Sequence, residues 1–173
     1  MFTYIVSGMR RTGTSMMMHC LGLGGLELVY DESRDRALHR EFPNNPNKFF
    51  YELELPKAIW LPLTKGKCTK AMGATCLNRG IAPIKIVYMV REPKAQFESV
   101  GAACVPELND YQKQSKKYIT ELESSNETDS LTVLDYDEVL EKPLKAFYIL
   151  EKYGWPIDAF TASTGVDRSL KHY

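Results

Sequence analysis

The sequence predicts an α/β protein in which a mainly parallel central sheet lies between two layers of helices, α/β/α. Short apolar runs alternate with segments of helical periodicity along the chain, and this alternation is typical of such folds. No internal repeat, low-complexity tract or linker interrupts it. With 173 residues, 44% of them hydrophobic, the chain is long enough for a substantial core, and we predict one domain over residues 1–173.

The composition excludes several classes of protein. The 22 basic residues balance the 22 acidic ones, so no net field attracts nucleic acid or a membrane surface. No apolar run approaches the roughly 18 to 20 residues of a membrane span, and no basic leader precedes a long apolar core. The four cysteines lack the spacing of zinc ligands. We therefore expect a cytoplasmic protein with reduced thiols, no bound metal, and no nucleic-acid or membrane partner.

The first element is an apolar strand at Phe2–Val6, followed by a turn that Gly8 and Gly13 bracket. A helix then runs from Thr14 to the glycine cluster at residues 22–25. Glycine permits a sharp turn, and the free N–H groups at a helix start bind anions. This layout predicts a phosphate-binding loop and a P-loop NTPase-like fold. Thr14 stands where ATP-hydrolysing proteins carry lysine, so ordinary ATP chemistry is not expected.

The next elements are shorter. Leu26–Tyr30 is predicted as a strand, and Ser33 is placed to cap a helix that runs to Glu41. The segments that follow are a loop at Phe42–Asn47, an aromatic cluster at Lys48–Glu52, a short helix or irregular segment at Leu53–Leu63, a buried strand at Lys67–Ala71 and a short helix at Ala74–Arg79.

The strongest strand signal is Ile84–Val90, because of its β-branched content. It ends at Arg91, and Pro93 lies in the first turn of the next helix. The remaining predictions are a helix at Glu107–Leu122, a loop at Glu123–Ser130, a strand at Leu131–Leu134, one helix from Asp135 to Tyr153 and a polar tail at Thr161–Tyr173.

Positive charge follows two of the predicted strands, at the edge of the sheet where ligands of α/β proteins bind. Arg11 lies in the first βα junction, and Arg91 lies in the second. Ser99 is eight residues after Arg91, on the following helix. We expect Arg91 and Ser99 to reach one phosphate group.

These motifs together resemble the sulfotransferases that use 3′-phosphoadenosine 5′-phosphosulfate (PAPS). Arg10–Ser15 is similar to the first family motif, P-[KR]-[ST]-G-T-[TS], with Arg10 in place of the proline. Arg91 and Ser99 match the second motif, an arginine after a strand with a serine eight residues later. Leu134–Pro143 resembles the Y-E-D-L-x-x-x-P segment, and Val166–His172 resembles the end of small bacterial and phage-type members.

The resemblance implies a metal-free transfer of a sulfuryl group from PAPS to a hydroxyl or amine of a small-molecule, glycan or peptide acceptor. It implies that Arg91 and Ser99 hold the 3′-phosphate. It implies that the loop holds the 5′-phosphosulfate through Arg11, Thr12, Gly13, Thr14 and Ser15. Arg11 is the candidate for stabilising charge on the leaving group, because a guanidinium makes two parallel contacts to an anion.

One departure from the family leaves the catalytic base open. Many members carry a histidine in a K-x-x-H-like stretch, whereas Lys70–Gly73 keeps the lysine and lacks the histidine. The acid–base groups available instead are Asp31, Glu32, His39 and Glu52. Glu52, after the aromatic cluster, is the preferred one, and the candidate catalytic residues are Arg11, Glu52 and Lys70. Arg168 and Lys171 are further expected contacts of the ligand.

Two other functions remain open from the sequence. A divergent P-loop kinase for a small metabolite is disfavoured by Thr14 and by the scarcity of acidic strand ends, among which only Asp135 qualifies. A nucleotide-binding module without catalysis is supported by the missing histidine.

Overall fold

Five strands form one sheet, and all of its neighbouring strands are parallel. The computed structural model describes residues 1–41, 49–53, 63–77, 83–100 and 108–170. The strands are β1 (Thr3–Gly8), β2 (Leu28–Val29), β3 (Cys68–Lys70), β4 (Ile84–Val90) and β5 (Thr128–Asp135). Their order across the sheet is β2-β3-β1-β4-β5. The predicted α/β class is confirmed, and the sheet is parallel throughout.

Helices connect and follow these strands. They are α1 (Thr14–Leu23), α2 (Glu32–Glu41), α3 (Pro93–Val100), α4 (Leu108–Ser124), α5 (Tyr136–Glu141), α6 (Pro143–Lys152) and α7 (Ala159–Ser163), with a 3₁₀ turn at Arg168–Leu170. No helix in the described ranges is long and apolar enough to cross a membrane.

The central strand β1 lies between β3 and β4, so that Ile5 is opposite both Thr69 and Ile86. From β1 the chain continues to β2 and β3 on one side of the sheet, and from β4 it continues to β5 on the other. The connections of these two adjacent strands therefore diverge. In open α/β sheets the crevice outside the strand ends at such a point is where ligands bind.

Apolar side chains pack on both faces of the sheet, because successive residues of a strand point to opposite faces. Tyr4, Val6, Val87 and Met89 belong to a cluster that includes residues of α1, α5, α6 and α7. Ile5, Ile84, Ile86, Tyr88 and Leu122 of α4 belong to a second cluster. Apolar packing on both faces is compatible with three layers.

The start of α2 differs from its prediction. Asp31, and not Ser33, caps the helix, which begins at Glu32. The Asp31 carboxylate accepts the N–H groups of Ser33 at 2.9 Å and Arg34 at 3.1 Å. The Ser33 hydroxyl donates to the same carboxylate at 2.6 Å. Asp31, two residues before Ser33, thus accepts the first N–H groups of the helix, and the helix begins earlier than a cap at Ser33 predicts.

The helix predicted from Asp135 to Tyr153 is two helices. Its continuity was wrong because Pro143 disfavours the helical conformation of the preceding residue, and Lys142 accordingly has φ −132° and ψ 60°. Arg168 donates to the carbonyl oxygens of Leu140 at 2.7 Å and Glu141 at 2.8 Å. The free carbonyls at the end of α5 therefore have a cationic donor.

Two further predictions were wrong. Thr128–Ser130, expected as loop, belongs to β5, since Thr128 pairs with Ile84 and Ser130 with Lys85. Residues 74–77 form hydrogen-bonded turns in place of a helix, with Leu77 N–H donating to the Ala74 carbonyl at 3.1 Å. The predictions for residues 42–47, 54–62 and 78–79 lie outside the described residues.

Candidate functional site

The loop between β1 and α1 depends on two glycines. A Cβ atom on Gly8 would lie 2.6 Å from Thr12 Oγ1 and 2.7 Å from the Met89 carbonyl oxygen. A Cβ atom on Gly13 would lie 2.4 Å from Cδ2 of Tyr136, and Gly13 has φ 86°. A side chain at either position would therefore force the loop or the atoms packed against it to shift.

The start of α1 offers free donors. Gly13 is the N-cap and makes no side-chain cap bond, and the first helical N–H with a partner is that of Met17, which donates to the Gly13 carbonyl at 3.0 Å. Among the described residues, the N–H groups of Thr14, Ser15 and Met16 have no acceptor. Such N–H groups, with the positive end of the helix dipole behind them, suit an anion.

Thr12 is used within the loop itself. Its side chain is 2% exposed, and its hydroxyl donates to the Met9 carbonyl at 2.8 Å. The one hydroxyl proton is thereby committed. The group that Thr12 can offer to an anion is its backbone N–H.

The structure brings the two cationic junctions together. Arg11 Nε donates to the Ser99 hydroxyl at 3.0 Å, across 88 residues of sequence. Arg91 Nη1 donates to the Arg11 carbonyl at 3.3 Å. Gln96 Nε2 donates to the Arg10 carbonyl at 2.6 Å. The loop after β1 is therefore held by the loop and helix after β4, at the point where the strand connections diverge.

The two arginines differ in environment. Arg91 is 8% exposed, and its guanidinium carbon lies 4.6 Å from the centroid of the Tyr136 ring. Arg11 is exposed, and its backbone has a positive φ of 65°, which residues other than glycine rarely adopt. Desolvation of its guanidinium group, which contacts Ser99, and the nearby Arg91 charge lower the pKa of Arg11. Two guanidinium groups in mutual repulsion favour the binding of an anion between or beside them.

A third group of side chains lies on the other side of the α1 start. Lys70, the last residue of β3, donates through Nζ to the Phe50 carbonyl and lies 3.5 Å from Ser15 Oγ. The Ser15 hydroxyl donates to the same carbonyl at 3.2 Å. Lys70 Nζ is 3.9 Å from Glu52 Oε1. Lys70 and Glu52 thus contact one another beside the first turn of α1.

Burial affects the charge of Lys70. The residue is 7% exposed, and desolvation lowers the pKa of its ammonium group, while the charges of Glu52 and Asp35 act in the opposite direction. A lysine in this environment carries its proton less firmly than one at the surface.

The other candidates for the base lie in different surroundings. Asp31 caps α2, and Glu32 forms an exposed pair with Arg36 at 3.4 Å. His39 is exposed in the last turn of α2. Of the four candidates, Glu52 is the one that the structure pairs with Lys70. Of the remaining expected contacts, Arg168 holds the end of α5, and Lys171 lies outside the described residues.

Sequence reasoning missed three residues of this region. Tyr136 packs against Gly13 and Arg91, Gln96 holds the Arg10 carbonyl, and Asp35 is a buried carboxylate. Gln96 precedes Ser99 by three residues, so the helical period places both on one face of α3. Leu38 follows Asp35 by the same interval, and this spacing was the available signal that Asp35 faces inward.

Metal ligands are not grouped in the described residues: there, no cluster of three or more His, Cys, Asp or Glu side chains is arranged to hold a metal ion.

A scan against models of protein families finds no match to the chain. A search of the curated proteins likewise finds no significant match.

Proposed function

We propose that the protein is a PAPS-dependent sulfotransferase with a P-loop NTPase-like, three-layer fold. The observation that carries the proposal is the contact of Arg11 with Ser99, 3.0 Å, beneath which Arg91 donates to the Arg11 carbonyl. This contact joins the two cationic junctions at the point where the chain connections of β1 and β4 diverge. PAPS has two separate anionic groups, and this region offers two sets of donors.

The residues present fit such a ligand. The free N–H groups of Thr14, Ser15 and Met16 suit the 5′-phosphosulfate, and Arg91 with Ser99 suits the 3′-phosphate. Arg11 lies between these sets, since its carbonyl contacts Arg91 and its guanidinium contacts Ser99. We infer that the Arg11–Ser99 hydrogen bond gives way to phosphate contacts when the nucleotide binds.

PAPS would supply an activated sulfuryl group. Glu52 would accept the proton of the acceptor hydroxyl or amine as the acceptor atom bonds to sulfur and the sulfur–oxygen bond to the nucleotide phosphate breaks. Lys70, between Glu52 and Ser15, would stabilise negative charge on the transferring group. Arg11 would stabilise the charge that develops on the leaving phosphate. Most of the rate enhancement would come from positioning and electrostatics, as in phosphoryl transfer.

The kinase alternative has less support from the described residues. Its Mg²⁺ would need a free carboxylate at a strand end, and Asp135 was the candidate. Asp135 instead caps α5, accepting the N–H groups of Asp137 at 2.9 Å and Glu138 at 3.1 Å. Thr14 also stands where a kinase carries its phosphate-binding lysine.

Calorimetry with 3′-phosphoadenosine 5′-phosphate (PAP), ADP and ATP, each with and without Mg²⁺, tests the proposal. We expect PAP to bind without magnesium and more tightly than ADP, which lacks the 3′-phosphate. Magnesium-dependent preference for ATP would overturn the proposal in favour of a kinase. Labelled sulfate from PAPS should then be transferred to a member of a panel of phenols, sugars and peptides, and PAP binding with no transfer across the panel would favour a nucleotide-binding module.

A further inference from the structure

Asp35 is a buried carboxylate outside the anion site. It lies in α2, where most charged residues are exposed, yet its side chain is 3% exposed. Its Oδ2 accepts the N–H groups of Phe50 and Tyr51, each at 3.1 Å, and its Oδ1 accepts that of Glu52 at 3.4 Å. A buried charge is tolerated when it is hydrogen-bonded in this way. One side chain thus binds three consecutive backbone groups.

The segment that Asp35 binds has an unusual backbone. Tyr51 holds φ 56°, in the left-handed region that a bulky side chain rarely adopts. Such a conformation persists when the surrounding structure holds it in place. The Glu52 carbonyl provides a further tie to α2, because it accepts the N–H of Asp31 at 2.8 Å.

The held segment is the one that contacts the candidate catalytic groups. The Phe50 carbonyl accepts from Ser15 Oγ and Lys70 Nζ, and the Glu52 carboxylate lies 3.9 Å from Lys70 Nζ. The placement of the Lys70 and Glu52 side chains beside Ser15 therefore depends on where residues 50–52 lie.

We propose that Asp35 is a positioning residue for the transfer reaction, holding residues 50–52 so that Lys70 and Glu52 are presented beside Ser15. This proposal rests on the proposed function for its role in turnover, whereas its structural part, the placement of Lys70, can be measured without any substrate. Asp35 does not touch the reacting atoms.

The electrostatics provide a readout that a purely structural role would not change. In the described part of the chain, the charged groups that act on Lys70 are Glu52 from the held segment and Asp35 from α2, and both favour the protonated amine against the effect of burial. Asp35→Asn removes one of these charges while it keeps the shape. The pKa of Lys70 should therefore fall, and the alkaline side of the pH–activity profile should move to lower pH.

The experiment compares the 173-residue protein with its variant Asp35→Asn and with a control variant, Asp158→Asn. Asp158 also accepts a backbone N–H, that of Thr161 at 2.6 Å, but it lies at the start of α7. The pKa of Lys70 is followed by NMR of lysines labelled at Cε, with the Lys70 signal assigned by its loss in Lys70→Met. We expect a lower pKa in Asp35→Asn alone, a fall in kcat of about 100-fold, and PAP affinity unchanged within about twofold, since the donors for PAP lie elsewhere.

The outcomes separate the two proposals. A lower pKa of Lys70 in a protein that binds no PAP would show that the Asp35 charge acts on Lys70 and would overturn the sulfotransferase function. An unchanged pKa and unchanged kcat in a protein that does transfer sulfate would overturn the role of Asp35 alone. If Asp35→Asn does not fold, hydrogen exchange of the wild type decides: the Tyr51 amide should exchange at least about 100-fold more slowly than an open amide, and an unprotected amide would overturn the proposal.

Discussion

Arg91 and Arg11 lie in contact after neighbouring strands but are held in different ways. Arg91 is enclosed, with its guanidinium on the Tyr136 ring and one N–H on the Arg11 carbonyl. Arg11 is exposed, and its contact with Ser99 is a single hydrogen bond that a phosphate oxygen can replace. The enclosed arginine is pre-organised and so loses little freedom on binding. It is therefore the better source of selectivity for a fixed anion.

The first prediction concerns Arg91→Ala. Loss of this residue should abolish the preference for PAP over ADP by weakening PAP binding about 10- to 100-fold, the effect of a charged hydrogen bond, while ADP affinity changes little. Calorimetry measures both, with Lys94→Ala as the control because Lys94 is an exposed cation on α3. A variant that folds and keeps the preference would contradict the assignment of Arg91 to the 3′-phosphate.

Gly13→Ala is the second prediction at the scale of one residue. The new Cβ atom would meet the Tyr136 ring at 2.4 Å, in addition to the strain of φ 86°. Gly25 is a matched control, since its φ is 105° and nothing lies within 4 Å of a Cβ atom placed there. We expect Gly13→Ala to lower the free energy of unfolding by about 1–3 kcal/mol more than Gly25→Ala does, because the first adds overpacking to the same strain. Urea unfolding measures the difference. An equal loss of free energy of unfolding in the two variants would show that the Tyr136 ring moves aside at little cost.

At the scale of elements, the caps of α2 and α7 predict how stability depends on pH. Hydrogen bonds from Ser33 and from the Arg34 N–H hold the pKa of Asp31 below its ordinary value of 3.8, and hydrogen bonds from Thr161 do the same for the pKa of Asp158. A carboxylate with a lowered folded pKa stabilises the protein above its unfolded pKa. That contribution is lost as the pH falls through the folded value.

We therefore expect Asp31→Asn to be less stable than the wild type at pH 6, with the gap closing as the pH falls below about 4. Urea unfolding at a series of pH values checks this expectation. A gap that stays constant down to pH 2 would mean that the Asp31 carboxylate does not cap α2.

The strands and helices also differ in how well local sequence patterns predict their bounds. The bounds of β4 followed from a β-branched run between a proline and Arg91, because both limits are local. β5 was predicted too short, since Thr128–Ser130 is polar and becomes strand through pairing with β4 and the ion pair of Asp129 with Lys85 at 3.1 Å. The break at Lys142 does have a local signal, because Pro143 restricts the conformation of the residue before it.

At the scale of the whole molecule, the site depends on contacts that a linear pattern does not encode. The sequence placed Arg11 and Arg91 after strand ends and Ser99 on the helix after the second strand, and the edge of the sheet was predictable from parallel topology. The strand order, which makes β1 and β4 neighbours, results from long-range pairing. The Asp35 side chain accepts hydrogen bonds from the backbone of residues 50–52, which are 15 to 17 residues away in the sequence. A sequence pattern cannot reveal such contacts, because every residue type except proline carries the same backbone N–H group.

The last prediction follows from the single sheet with apolar clusters on both faces. If residues 1–173 are one domain, every probe should report one unfolding transition. Trp155 is buried in the apolar cluster that includes α1, and it is the one tryptophan left in a Trp60→Phe variant. The fluorescence of that variant therefore reports on one face of the sheet, whereas far-UV circular dichroism reports on all helices and strands. We expect the two midpoints in urea to coincide. Two separated transitions would contradict a single domain.

Urea unfolding in the presence of PAP tests the proposed nucleotide site with the same two probes. A ligand that binds the folded state alone adds about 2.7 kcal/mol to the free energy of unfolding when its concentration is 100 times its Kd. Because the proposed donors for PAP come from loops after β1 and β4 and from α1 and α3, both probes should shift together by this amount. ADP at the same concentration should shift them less, since it lacks the group that Arg91 and Ser99 are proposed to hold. Equal shifts with PAP and ADP would contradict a second phosphate site, whatever the affinity of the first.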